Sequence, residues 1–290
     1  MSEDQPLNRT VPLFDFGGSG QLMHLAVANG FPPETYIPFV RPFLDSYHVV
    51  SLPPRALWGN HPPQQMLNWR DLVAVDLLNG IQAHNLRDLI AVGHSFGGVA
   101  SMVAVLRAPE RFRALIMLDP PILPPGKLYW MRFKRMFGAE ASDGLESLAR
   151  RRRTHFESAQ AAYEYFRSKR FFAEWPEETI RLYAETMVDD NGDGVTLAWP
   201  KEWEAYFFRT WVLYVSIWQD IKKLRGLMPV FLIRGQESDT LLPQAAARMR
   251  KLLPQLAYDE LAGAGHLLPH THPQQSARMI LDWLQQLEPS

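Results

Sequence analysis

The stretch LIAVGHSFGGVA, residues 89–100, constrains this chain more than any other. An apolar run ends in Gly93, Gly97 and Gly98 gathered around Ser95, and a second apolar run follows at once. DLIAV (88–92) reads as a short buried strand, and GVASMVAVLRA (98–108), rich in small residues, reads as a helix able to approach a sheet closely. Glycines between the two remove β-carbons that would collide in a sharp strand-to-helix corner. Two readings follow. One is a plain glycine-rich turn. The other is a strained corner that pushes a single hydroxyl into a cavity. A serine hydroxyl is a poor nucleophile at neutral pH and needs an adjacent base, so the second reading requires a partner elsewhere in the chain.

Short apolar runs alternate with helical spacing through the first half. VPLFDF (11–16) and LMHLAVA (22–28), separated by GGSGQ, are expected to form a hairpin. HVVSL (48–52) and RALIML (113–118) are further strands, and NWRDLVAVDLLNGIQAH (68–84) has the spacing of a helix. Such alternation predicts an α/β class fold, a mostly parallel sheet with helices on both faces. From Pro120 to about Gly226 strands nearly vanish, and aromatics and arginines crowd in. PVFLI (229–233), a helix near 243–253, LAYDEL (256–261) and a terminal helix (273–287) then restore the first rhythm. The last two strands need the earlier sheet to pair with. The expected organisation is therefore one core, residues 1–119 and 227–290, interrupted by a helical insertion, 120–226, with DPPILPPG (119–126) as its entry hinge.

Composition excludes several chemistries. A formal net charge of −1 gives no global field favouring nucleic acid or an anionic membrane. The lack of cysteine removes disulfides, thiolate zinc ligands and a cysteine nucleophile, and fits a reducing compartment; the expected location is cytoplasmic. MSEDQPLNRT is acidic and polar and does not read as a secretory signal, and no apolar run approaches the ~20 residues of a membrane span, so no stable membrane insertion is expected. No Walker sequence or G-x-G-x-x-G spacing occurs, and no cofactor is expected. In DDNGDG (189–194), Asp189, Asn191, Asp193 and Gly194 match the first half of a calcium loop, but Pro200 stands where the bidentate glutamate belongs; a polar turn is expected. His270 and His272 lack the spacing and carboxylate of a metal site and read as surface loop histidines.

Gly93-His94-Ser95-Phe96-Gly97, in a strand–turn–helix context, resembles the nucleophile corner of the α/β-hydrolase fold superfamily, and the insertion falls where its cap-bearing, esterase- and lipase-like members carry a lid. The resemblance spans nearly all of the chain outside the insertion. It implies a triad in the order serine, acid, histidine. His266, in LAGAGHLLPHTHP (261–273), stands where the family places its base. The acid is open. The family usually carries it three residues after the glycine that follows the seventh strand, but in LIRGQESD that place holds Ser238, with Asp239 one further on. Some relatives take it from the end of the sixth strand, where this chain has Asp119. For the oxyanion, the resemblance implies the backbone N–H groups of Phe96 and of Phe31, since Asn29-Gly30-Phe31-Pro32 is similar to a His-Gly-Phe-Pro form. FGGSG (16–20) is the rival, and its place between two hairpin strands argues for a plain turn.

The aromatic density of residues 127–220 serves either to bury a small helical layer against the core or to line a pocket beneath a lid. RRRR (150–153) is expected on a solvated helix face. Together these features point to a serine hydrolase that cleaves a carboxylic ester with an apolar acyl or aryl group. The alternatives are carbon–carbon, thioester or lactone hydrolysis or acyl transfer on the same triad, and a non-catalytic ligand receptor.

Overall fold

A computed structural model describes residues 11–59, 63, 69–137, 144–189, 192–211, 214 and 216–287. Its first part runs β1 (Phe14–Gly17), β2 (Gln21–Ala26), α1 (Ile37–Val40), β3 (Tyr47–Ser51), α2 (Trp69–Ala83), β4 (Leu89–His94), α3 (Phe96–Arg107) and β5 (Phe112–Leu118). Then come α4 (Pro125–Met136), α5 (Leu145–Arg150), β6 (His155–Phe156), α6 (Ala159–Arg167), α7 (Glu177–Glu185), β7 (Val188–Asp189), β8 (Val195–Thr196), α8 (Lys201–Thr210) and α9 (Ile217–Lys223). The last part is β9 (Val230–Gly235), α10 (Pro243–Leu252), β10 (Ala257–Leu261), α11 (Leu268–Thr271) and α12 (Pro273–Leu287).

The sheet order is β1-β3-β2-β4-β5-β9-β10, with every neighbouring pair parallel except β1 and β3. β4 and β9 are buried at every position, and β5 at every position but Arg113. Near-continuous apolar strands are what a sheet covered on both faces demands. The registers Ala26↔Gly93, His94↔Leu118 and Leu118↔Ile233 bring the carboxyl ends of β2, β4, β5 and β9 to one edge. In open α/β sheets this is the edge that holds ligand sites.

The expected hairpin is overturned. β1 pairs antiparallel with β3, through Phe14↔Ser51 and Asp15↔Val50, while β2 lies parallel between β3 and β4. The turn itself is present: Gly18 and Gly20 have φ of +85° and +104°, and a Cβ on Gly18 would stand 2.1 Å from the Tyr47 carbonyl oxygen. That close crossing carries the chain past β3 instead of folding β1 back on β2. It also sets the turn at the start of β2, the opposite end of the sheet from Ser95.

Between β5 and β9 the described residues form the helices α4 to α9 and a three-stranded sheet, β6-β8-β7, of two-residue strands. Trp203, Tyr183, Phe156 and Phe166 are fully or almost fully buried there, so much of the aromatic density is packing. Asp190 and Asn191 of the DDNGDG run lie outside the described residues; Gly192 stands in a turn and Asp193 in a bend ahead of β8, which pairs antiparallel with β7. Among the described residues no cluster of three or more histidines and carboxylates could hold a metal ion.

α3 is seated on the sheet by its glycines. A Cβ on Gly97 would meet the Ala26 carbonyl oxygen at 2.1 Å, and one on Gly93 the Gly97 carbonyl oxygen at 2.5 Å. Backbone atoms of a central strand have little room to retreat. Gly97→Ala is expected to lower stability by about 2 kcal/mol or more, read as a lower urea midpoint at unchanged m-value, whereas Gly126→Ala, which meets nothing within 4 Å, should leave the midpoint nearly in place.

Candidate active site

Ser95 stands between β4 and α3 with φ 54° and ψ −120°, a backbone conformation that L-residues with a side chain rarely adopt. Its N–H donates to the Leu118 carbonyl at 2.8 Å, and its own carbonyl accepts from Gly98 N–H at 3.0 Å. The corner is thus fixed on both sides, and the side chain is thrown off the sheet edge. Asp119 repeats the situation one strand over. It follows β5 with φ 44°, is fully buried, and donates its N–H to the Ile233 carbonyl at 2.8 Å.

The loop between β10 and α11 brings His266 between them. His266 Nε2 lies 2.9 Å from Ser95 Oγ, and Nδ1 lies 2.7 Å from Asp119 Oδ2. A carboxylate only accepts, so Nδ1 carries the proton and Nε2 is left to accept from the serine hydroxyl. Asp119 also accepts from Gly235 N–H at 3.1 Å through Oδ1 and from the Ser238 hydroxyl at 2.5 Å through Oδ2. Asp239, by contrast, is exposed, and its carboxylate accepts from the Thr240 hydroxyl at 3.3 Å. The structure therefore brings Asp119 to His266 and leaves Asp239 outside. The reason is the turn after β9: it aims Ser238 inward, so its neighbour faces solvent. Ser238 occupies the place where the resemblance led one to look for the acid, and it serves the carboxylate of the adjacent strand instead. The missing acid at that spacing was the available signal.

Of the implied oxyanion donors, Phe96 directly follows Ser95, and Phe31 lies in the loop after β2, the strand paired with β4. Phe96 is the first residue of α3, at the positive end of the helix dipole. Phe31 N–H donates to the Ala28 carbonyl at 3.3 Å, beyond the usual hydrogen-bond range of ~2.7–3.2 Å. The ring of Phe31 packs against Trp175, Tyr183 and His270. Above Gly30, a Cβ would meet Glu204 at 3.3 Å and Arg152 at 3.7 Å. Arg152 is therefore not on a solvated helix face, as the arginine run suggested. It is largely buried, bonded to Glu204 at 2.7 Å and to the Tyr183 hydroxyl, while Asn29 Nδ2 donates to the Glu204 carbonyl at 3.1 Å.

His270 also departs from expectation. It is fully buried, because α11 tucks it beneath Trp175, whose ring stacks on it at 4.8 Å, and beside Tyr36 at 4.4 Å. Its Nε2 lies 3.3 Å from the Thr35 hydroxyl, which donates to the Pro32 carbonyl. His272 is half-buried beside the Thr271 hydroxyl. His94, read from sequence only as part of the corner, has a second role. Its Nδ1 accepts from the Tyr36 hydroxyl at 2.8 Å, its Nε2–H donates to the His266 carbonyl at 3.0 Å, and Tyr36 in turn accepts from Ala28 N–H at 2.9 Å. One buried chain of hydrogen bonds thus ties the Phe31 loop, the serine corner and the His266 loop together.

Electrostatics suit this arrangement. Burial, with His266 and His270 as like-charged neighbours, holds His94 well below the ordinary histidine value. Burial, then the proximity of His266, lowers His270 to about 3, and burial raises Tyr36. Both buried imidazoles stay neutral, so neither places a competing positive charge beside His266.

A family model described as alpha/beta hydrolase family matches residues 24–279. The 2-(acetamidomethylene)succinate hydrolase of Mesorhizobium japonicum is 23% identical over 273 residues, which cover 92% of this chain and 89% of that protein. The crystal structure of an E-2-(acetamidomethylene)succinate hydrolase has a TM-score of 0.73 at 20% identity and covers 94% of each chain. The N-formylmaleamic acid deformylase of Pseudomonas putida has a TM-score of 0.61 at 18% identity, covering 92% of this chain and 94% of its own.

The buried histidines have a consequence for folding. His94, His270 and His24, the last lowered by burial to about 4, are neutral in the folded chain but titrate near pH 6.5 once unfolded. Below that pH the unfolded state binds the extra protons, so stability is full above it and falls as pH drops, by about 1.4 kcal/mol per unit for each histidine. Urea midpoints should decline steadily below about pH 6.5; midpoints that stay flat down to the acid range would show that these imidazoles are not held neutral.

Proposed function

The chain belongs to the alpha/beta hydrolase family and is a hydrolase, and from that premise we propose that it cleaves a carboxylic ester through an acyl-enzyme on Ser95, with His266 as base and Asp119 as the orienting acid. The observation that carries this is the unbroken contact Ser95 Oγ···Nε2 His266 Nδ1···Oδ2 Asp119, at 2.9 and 2.7 Å. In that geometry the Ser95 hydroxyl gives its proton to Nε2 as Oγ adds to the ester carbonyl. The N–H groups of Phe96 and Phe31 receive the negative oxygen, the latter exchanging its long bond to Ala28. Collapse breaks the bond to the leaving alkoxide, which takes the proton back from Nε2. Water then repeats the sequence on the acyl-serine, and the acid leaves. Asp119 accepts from Nδ1 throughout, holding the ring's orientation and favouring the imidazolium.

Residues 1–119 and 227–290 form the core in this reading, and 120–226 the cap that roofs the site. Its Trp175, Tyr183, Arg152 and Glu204 lie on the Phe31 loop. Beside Phe96, between α3 and this segment, lies a cleft lined by Val99, Leu123, Leu128, Trp211 and Ile217. Among the described residues no charged side chain lines it. This favours an apolar acyl or aryl group. A cytoplasmic location agrees with the absence of cysteine.

A second reading, cleavage of a carbon–nitrogen bond, draws on the names of the acetamidomethylene-succinate hydrolases and the deformylase. Those names also specify acidic substrates, whereas Arg152, the cation over Gly30, is already neutralised by Glu204. We put the ester first because the apolar side chains beside Phe96 support an uncharged acyl group over the acidic substrates of those names.

A fluorophosphonate probe should label the wild type and not Ser95→Ala; a well-folded wild type that resists the probe would end the proposal. On a chromogenic ester, Asp119→Asn should lose about 10³–10⁴ in kcat, while Asp239→Asn stays within about twofold, as expected of a surface change. Across matched acyl groups, ester turnover exceeding that of the amide supports the first reading, and the reverse order supports the second.

A further inference from the structure

α4 carries an aromatic face that the fold does not use. Tyr129, Trp130, Phe133 and Phe137, the last immediately after the helix, are between 51% and 73% exposed, and Met136 is 81% exposed. Trp130 stacks on Phe133 with centroids 6.1 Å apart, and Phe133 meets Phe137 at 4.8 Å. The spacing, 130, 133 and 137, keeps these rings on one side of the helix, while Leu128 and Met131 are buried on the other. The same helix holds Lys127, Arg132, Lys134 and Arg135 and no acidic residue. Lys134 lies over the Trp130 ring at 5.6 Å.

We propose that α4 lies on an anionic lipid surface, with Trp130, Phe133 and Phe137 entering the headgroup boundary and Arg132 and Lys134 meeting lipid phosphates. A helix that combines Trp and Phe on one face with Lys and Arg and no acid is built for a membrane interface. A twelve-residue helix presents about 18 Å of length to such a surface. Charge decides against a second copy of this chain as the occupant. A two-fold contact would set the same cations against themselves, whereas an anionic leaflet attracts each of them by about 1 kcal/mol. The overall charge of −1 hides this patch because it averages over 290 residues. The association is peripheral, in keeping with the fact that no helix among the described residues is long and apolar enough to cross a membrane. Leu128, on the inner side of α4, lines the cleft beside Phe96, so the docked surface lies about one helix diameter, ~10 Å, from that cleft. The proposal concerns binding alone and stands or falls independently of the bond cleaved.

The test is co-sedimentation of the full chain with vesicles of phosphatidylcholine containing about one-third phosphatidylglycerol, set against vesicles of phosphatidylcholine alone. The wild type should pellet with the anionic vesicles, be released by salt, and pellet far less with the neutral ones. Trp130→Ala/Phe133→Ala/Phe137→Ala and, separately, Arg132→Glu/Lys134→Glu should each weaken binding by about tenfold or more. Both variants should hydrolyse a water-soluble ester within about twofold of wild type, as expected of surface changes. No binding to anionic vesicles, equal binding to neutral ones, or binding untouched by both variants overturns the proposal. So does a wild type that is dimeric by light scattering and becomes monomeric in the triple-alanine variant, which would assign the face to a second copy.

Discussion

A side-chain-bearing residue held at φ 54° at the end of a central strand is the constraint on which the rest of this structure depends. Such a conformation costs of order 1–3 kcal/mol and persists only where the surroundings over-determine it. Here they do. Two parallel strands clamp β4 along its length, α3 starts at the next residue, and Gly93 and Gly97 leave space that any β-carbon would fill. The result is a hydroxyl projected beyond the sheet edge by rigid elements. Asp119 uses the same solution at the end of the neighbouring strand, with φ 44°. Two strained residues on adjacent strands make Asp119 and Ser95 as rigid as the sheet itself, and the His266 imidazole between them is carried by a loop.

That loop is secured from beneath. The chain from Ala28 N–H through Tyr36 and His94 to the His266 carbonyl is fully buried up to its last member and satisfied at each step. His94 within it, and His270 packed beside it, stay neutral because burial disfavours their charged forms. A neutral histidine can hold the His266 carbonyl without placing a positive charge beside the His266 ring. Polar groups buried beneath a reactive site therefore fix geometry here without adding charge to it.

Much of this was legible in the residues. The glycine spacing around Ser95 and the order of strands and helices depend on local chemistry that a linear pattern records, and the place of His266 came from the family resemblance. The pairing of β1 was not legible, since GGSGQ specifies a turn but not which strand receives the chain beyond it. Nor was the burial of His270, because a histidine two residues before His272 looks like loop composition until Trp175, almost a hundred residues earlier, closes over it. Arg152 likewise looked solvated within a run of four arginines, and the fold turned that one inward onto Glu204 and Tyr183.

The sequence by itself determined the glycine corner and the class of fold, because each follows from residues adjacent in the chain or from a regular period, while the place of His266 followed from the family resemblance. Only the tertiary structure decided which of Asp119 and Asp239 meets His266. Both stand near strand ends, one residue or two from a turn, and their local patterns serve equally well. What separates them is which side of the turn after β9 faces the His266 loop. Ser238 points in, donates to Asp119 and leaves Asp239 in solvent. That direction is set by the packing of β9 between β5 and β10, contacts that join residues more than a hundred positions apart on one side.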